Sequence, residues 1–267
     1  MVTKFTPRLR AGLLSALLIS GAALAQPAAS ERTAEPPAAA ASASAARAAS
    51  WGSGFVVAPG YLLTAHHVVR EHSRWLVGPV GTTATGRPRW LPAELLKADP
   101  ARDLALLRIP ETLPALAMHP QPTVPIGLEA LVIGFPQPRV QGASRKITQG
   151  IVNGYRQNEG AQADAGWLQI SAEVSQGNSG GPVLAADGTV IGMVQRRVNA
   201  TAVAERTQDT LVNVNYALRS SQLIDFLQDT PAQATVRPVA VQTVLRPHQI
   251  FETTAPSVLA VVGLRGP

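Results

Sequence analysis

Residues 175–183 read SQGNSGGPV and set one hydroxyl, Ser179, among three glycines, Gly177, Gly180 and Gly181. Glycine is costly to order. So dense a cluster fits a backbone whose task a side chain would block, or a tight turn between strands. The flanks decide what kind of fold surrounds it. WLQISA (167–172) precedes the cluster. PVLAA (182–186) and TVIGMVQ (189–195) follow it around Asp187-Gly188, a strong hairpin signal.

The same texture extends upstream. GFVVA (54–58) and YLLTA (61–65) flank Pro59-Gly60, a turn pair. WLVGPV (75–80), AELLKA (93–98), DLALLRI (103–109), EALVIGF (129–135) and KITQGIVNG (146–154) are further short apolar runs bounded by Gly, Pro, Asn and Asp. LVNVNYAL (211–218) is the last of this series. SSQLIDFLQ (220–228) then spaces Leu223, Ile224 and Leu227 as on a helix, with Ser220 as its expected N-cap. About ten strands and one terminal helix predict an all-β protein, an antiparallel barrel or sandwich.

The ends differ in character. Lys4, Arg8 and Arg10 precede an uncharged run of 14 residues, Ala11 to Leu24, and Ala23-Leu24-Ala25 completes a secretory signal with cleavage expected after Ala25. The run is shorter than the ~17 residues that span a bilayer. Residues 26–50 are rich in Ala, Pro and Ser and read as a disordered tether. The chain carries 23 basic and 17 acidic residues. Without the three basic residues of the signal the balance is 20 to 17, or +3, too mild to indicate nucleic acid. An exported chain without cysteine must rest on an ordinary apolar core. Residues 229–267 read as a linker marked by Pro231, Pro238 and Pro247, followed by one strand-like run, SVLAVVG (257–263).

A serine hydroxyl becomes nucleophilic only when a base takes its proton. Histidine is the usual base. His66 and His67 lie in LLTAHHVV (62–69), at the end of a predicted strand whose alternation would turn them opposite ways. A third group should orient the imidazole. Asp103, in DPARDLALLRI (99–109) just before three leucines, is the best-placed carboxylate. Each residue alone has an ordinary reading: a turn serine, a surface histidine, an aspartate that begins a strand. His66, His67 and His72 lack acidic or cysteine partners at metal-ligand spacing, so neither a metal nor a cofactor is expected.

Together, TAHHVV (64–69), DPARDLALLRI and GNSGGPV, in the order His, Asp, Ser, resemble the trypsin-like serine proteases. Residues 168–193 and VNYALRSSQLIDFL (214–227) are similar to the bacterial HtrA/Deg branch. The resemblance covers residues 51–228 and implies two antiparallel six-stranded β-barrels with a short C-terminal helix. It implies a serine endopeptidase with Ser179 as nucleophile, His67 as general base and acid, and Asp103 as orienting carboxylate. The amides of Gly177 and Ser179 would form the oxyanion hole. The alternative is a catalytically latent peptide-binding or chaperone protein of the cell envelope on the same fold. Peptides or unfolded proteins would be the partners, in the periplasm or outside the cell. Oligomeric state stays open.

Some positions depart from the family pattern. Asn178 stands where pancreatic-type members carry an aspartate that binds a new N-terminal amine, so activity is expected without such a switch. Glu173 falls at the floor of the substrate pocket, with Gln195, Arg196 and Arg197 on the strand that lines it. An acid there favours a basic P1 residue, whereas a Glu173–arginine pair would neutralise the floor and fit small aliphatic side chains. The family's opening strand is missing before GSGF (52–55), no PDZ segment is visible, and HQIFETTAPSVLAVVG (248–263) is similar to that missing strand. It reads either as a substitute, from this chain or a neighbouring one, or as the stump of a further domain.

Overall fold

Short apolar runs cut by glycine and proline cannot bury themselves singly and close on one another instead. The structure, a computed structural model, describes residues 48–155, 166–197, 214–240 and 244–264. Among them, twelve strands form two closed antiparallel barrels. The signal run, most of the tether and residues 211–213 lie outside the described residues.

The first barrel uses β1 (Ala48–Ala58), β2 (Tyr61–Ala65), β3 (Trp75–Gly78), β4 (Leu91–Asp99), β5 (Leu104–Arg108) and β12 (Val258–Leu264). Their order around the barrel is β1-β12-β3-β4-β5-β2. The last strand of the chain thus lies between β1 and β3, with Trp51 opposite Val262 and Val261 opposite Val77. β1 begins at Ala48, inside the stretch read as tether, because Leu264 is there to pair with it.

The second barrel uses β6 (Glu129–Gly134), β7 (Lys146–Tyr155), β8 (Trp167–Ile170), β9 (Pro182–Leu184), β10 (Val190–Arg197) and β11 (Asn215–Arg219). Their order is β10-β11-β8-β7-β6-β9. Two apolar clusters hold the whole. One fills the first barrel and continues through Ile133, Phe135, Met193 and Leu218 of the second. The other fills the second barrel around Val132, Ile170, Val183 and Val194. The site lies where the barrels share the first cluster. Strands facing it, such as β5, are buried on both faces, whereas β4 shows the alternation of a strand with one wet face.

Three local expectations are corrected. Ser220 does not cap its helix, Ser220–Leu227. Arg219 occupies the N-cap position, and the Ser220 hydroxyl donates to the His119 carbonyl at 2.6 Å. Pro247 is not a linker mark but opens a helix, Pro247–Thr254, where a missing N–H costs nothing. His66 and His67 are not on a strand. β2 stops at Ala65, and a one-turn helix, His66–Val69, follows.

Candidate active site

Four consecutive carbonyls of the 176–179 segment accept hydrogen bonds. Gln176 O takes the Gln137 N–H at 2.7 Å, Asn178 O the Gly181 N–H at 2.8 Å, and Ser179 O the Ser53 N–H at 2.8 Å. Gly177 O takes the Ser53 hydroxyl at 2.6 Å. In a trans peptide the C=O and the next N–H point in opposite directions. Tying down the oxygens of Gln176 and Asn178 therefore turns the N–H groups of Gly177 and Ser179 the other way. Among the described residues neither of these two amides donates to a protein acceptor. Gly177 has φ 102°, and a Cβ there would lie 2.3 Å from Phe135 O. Gly180 has φ 84°, and its Cβ would lie 2.1 Å from Ser53 O. Only glycine fits either place.

The imidazole is anchored from barrel one. Asp103 Oδ2 lies 2.7 Å from His67 Nδ1, and Asp103 Oδ1 accepts the His67 backbone N–H at 2.8 Å. The His66 N–H donates to the Asp103 carbonyl at 3.0 Å. A carboxylate accepts only, so Nδ1 carries the hydrogen and Nε2 is left with its lone pair. Asp103 has φ 56°, a left-handed conformation that a short polar side chain tolerates. Its three bonds to the His66–His67 turn hold it there. Just upstream, burial pushes the Asp99 carboxyl up, but hydrogen bonds from the Arg102 amide, the Arg102 guanidinium and the Ala101 amide outweigh it. Asp99 is held below the usual carboxylate range and staples the turn that leads into Asp103.

His67, Asp103 and Gln195 line one open cavity of about 630 Å³, with His66, Arg70, Pro100, Ala101 and Trp167. The expectation that His66 and His67 point apart is thereby corrected: in a helical turn strand alternation does not apply. Gln195 joins the two halves of the site. Its side-chain Nε2 donates to Arg102 O at 2.6 Å, and its backbone carbonyl accepts the Ser179 hydroxyl at 3.3 Å. Among the described residues no hydrogen bond joins Ser179 to His67. Gly52 packs between the two segments: a Cβ there would lie 2.5 Å from the Val68 side chain and 3.1 Å from the Ser179 carbonyl.

Glu173 is exposed, and its carbonyl accepts the Thr148 hydroxyl at 2.7 Å. No burial cost therefore demands an arginine partner for it. The Arg196 and Arg197 side chains lie outside the described residues, although both residues pair on β10 with Tyr216 and Asn215. Asn178 is buried with its Oδ1 unpartnered. Among the described residues no cluster of His, Cys, Asp or Glu has the makings of a metal site. Sequence reasoning missed Ser53, Gln137 and the side-chain bridge of Gln195. Only Ser53 carried a signal, a polar residue set between the two glycines of β1.

A family model described as the trypsin-like peptidase domain matches residues 52–193, more than half of the chain. The uncharacterized protein y4bJ of Sinorhizobium fredii is 37% identical over 181 residues, 67% of this chain and 27% of that protein. The "Probable periplasmic serine endoprotease DegP-like" of Chlamydia pneumoniae is 34% identical over 145 residues, 53% of this chain and 28% of that protein. Among solved structures, the serine endoprotease from Yersinia pestis aligns with a TM-score of 0.52 at 26% identity, covering 66% of this chain and 56% of that one. The chain spans less than a third of the length of these two curated relatives. With this match running from β1 to β10, and DegP-like endoproteases among its relatives, the chain belongs to the trypsin-like peptidase domain family.

Proposed function

We propose that this protein is a serine endopeptidase acting through Ser179, His67 and Asp103. The observations that carry the reading are the pair of unengaged amides at Gly177 and Ser179, turned by the fastened carbonyls of Gln176 and Asn178, and an imidazole already paired with its carboxylate. His67 Nε2 takes the Ser179 proton as Oγ attacks the scissile carbonyl. The negative charge that develops on the carbonyl oxygen meets the two amides, donors that each contribute typically about 2.7–4 kcal/mol in the transition state. His67 then protonates the departing amine, and water repeats the sequence on the acyl-enzyme. Peptides or unfolded proteins of the periplasm are the substrates proposed, in line with the printed names of the DegP-like relatives. Asn178 offers no charge for a new N-terminal amine, so no proteolytic activation is required.

The test is labelling with a fluorophosphonate, followed by hydrolysis of a peptide library. Ser179→Ala abolishes labelling. Asp103→Asn lowers kcat about 10⁴-fold by leaving His67 in the wrong tautomer. An intact protein that takes no label and cleaves nothing overturns the reading. One observation favours a second reading, a latent protein on the same fold: the Ser179 hydroxyl donates to Gln195 O rather than to His67. Latency predicts labelling that appears only once a peptide occupies the cleft. Cleavage of Arg- against Val-P1 peptides tests whether Glu173 favours a basic P1 residue, and equal or better cleavage after Val discards that preference.

A further inference from the structure

Gly177 poses a mechanical problem. Glycine is required there because Phe135 O leaves no space for a Cβ. The same absence of a side chain leaves its backbone free to turn. Sterics cannot keep its amide aimed beside that of Ser179, so hydrogen bonds must.

We infer that Ser53 is the positioning residue for the oxyanion donors. It stands on β1, in the opposite barrel from Ser179, and is fully buried. Every polar atom of Ser53 is engaged. The hydroxyl donates to Gly177 O at 2.6 Å and accepts the Phe135 N–H at 3.0 Å. The backbone N–H donates to Ser179 O at 2.8 Å, and the backbone carbonyl accepts the Thr64 hydroxyl at 2.7 Å. One residue thus grips the carbonyls of both hole-forming residues. Through Phe135 it also fixes the wall that faces Gly177. Without the hydroxyl, Gly177 O and Phe135 N–H are left buried and unpaired, a cost large enough to drive rearrangement. The Gly177–Asn178 peptide, which links the two donor peptides, is then held only by the Asn178 N–H on Ser175 O at 3.0 Å, and its rotation spreads the two amides apart. Ser53 touches no reacting atom and acts only through the loop.

This inference rests on the peptidase reading, so the experiment separates the two. Wild-type protein, Ser53→Ala and Thr230→Val are compared. Thr230→Val removes another buried hydroxyl, bonded to Leu227 O and the Ala232 N–H, away from the cavity. Hydrolysis is measured on a peptide that the wild type cleaves, with the aldehyde of the same peptide as a tetrahedral-adduct probe. Ser53→Ala is expected to lower kcat about 10–100-fold, less than or equal to outright loss of a donor, with KM within about twofold. Aldehyde affinity falls in parallel with kcat. Thr230→Val lowers stability and leaves kcat unchanged. Hydrogen exchange at residues 177–181 rises at least about tenfold in Ser53→Ala and not in Thr230→Val. Unchanged kcat in folded Ser53→Ala, or a loss confined to KM, overturns the inference. A wild type that neither labels nor cleaves overturns the peptidase reading instead. Exchange at residues 177–181 then decides the Ser53 clamp alone, with a rise supporting it and no change overturning it.

Discussion

The two barrels are built alike and assembled differently. The second is contiguous, from Glu129 to Arg219, and needs nothing from elsewhere to close its ladder. The first draws five strands from Ala48 to Arg108 and its sixth from Val258–Leu264. That strand reaches both halves of the site. The Gly263 N–H donates to Ser50 Oγ, 213 positions away, and Ser50 Oγ donates to Val68 O in the turn that bears His67. Arg145 Nε donates to Val258 O, Arg145 Nη2 to Pro79 O, and the guanidinium stands over the Phe135 ring, next to the Gly177 loop. Ser179 therefore lies in the barrel that closes itself, and the His67–Asp103 pair in the barrel that β12 completes. Chain entropy opposes so distant a closure and topology slows it. The half that holds His67 and Asp103 is therefore expected to be completed last.

The largest test of this asymmetry is to stop the chain at residue 246. The first barrel is then open between β1 and β3, and both exposed ladders lose their partner. We expect no cooperative thermal transition for that half and less than about 1% of the wild-type fluorophosphonate labelling rate, in keeping with losses of 10⁴-fold or more when the base is removed. Adding a peptide of residues 247–264 should restore labelling. A truncated chain that labels at the full rate would erase the distinction between the barrels.

A sharper probe is Arg145→Met, which keeps much of the side chain's length and removes its donors. Two carbonyls, that of buried Val258 on β12 and that of half-buried Pro79 beside β3, then lack a partner, costing about 1–3 kcal/mol. Burial already holds the Arg145 guanidinium below the usual arginine range. Urea denaturation should place the loss in the first barrel. Equal exchange rates for β12 amides in variant and wild type would contradict that placement.

The smallest effect concerns the turn before Asp103. Asp99 titrates below its unfolded value, so its stabilisation is present above the ordinary carboxylate pKa and disappears as pH falls through the folded one. Asp99→Asn should cost a few tenths to about 1 kcal/mol at pH 7 and nothing near pH 2. A cost independent of pH would assign the loss to packing instead.

How much was legible varies with the range of the interaction. Pro59-Gly60 and Asp187-Gly188 marked their hairpins, and YLLTA is β2 without a residue's error, because turns and alternation are local. Ser220 was misread because its hydroxyl found His119 O, 101 positions away, rather than its own helix. His66 and His67 were misread because the His66 N–H and the His67 N–H both reach Asp103, which coils the chain just where β2 would have continued. Gln137 remained invisible as a site residue and Ser53 stood out only as a polar residue between two glycines, since nothing in their neighbourhood says which carbonyls they meet.

By itself the sequence determined an all-β chain of two barrels and the family to which it belongs. Strand periodicity, glycine and proline punctuation, and short motifs are properties of neighbouring residues. Tertiary structure alone decided that the last strand sits between β1 and β3, that one cavity gathers both histidines, and that Gln137 and Ser53 fasten the carbonyls of Gln176, Gly177 and Ser179. Those outcomes depend on donors and acceptors far apart in the chain. A peptide unit's orientation follows from what grips its oxygen, not from which residue it belongs to.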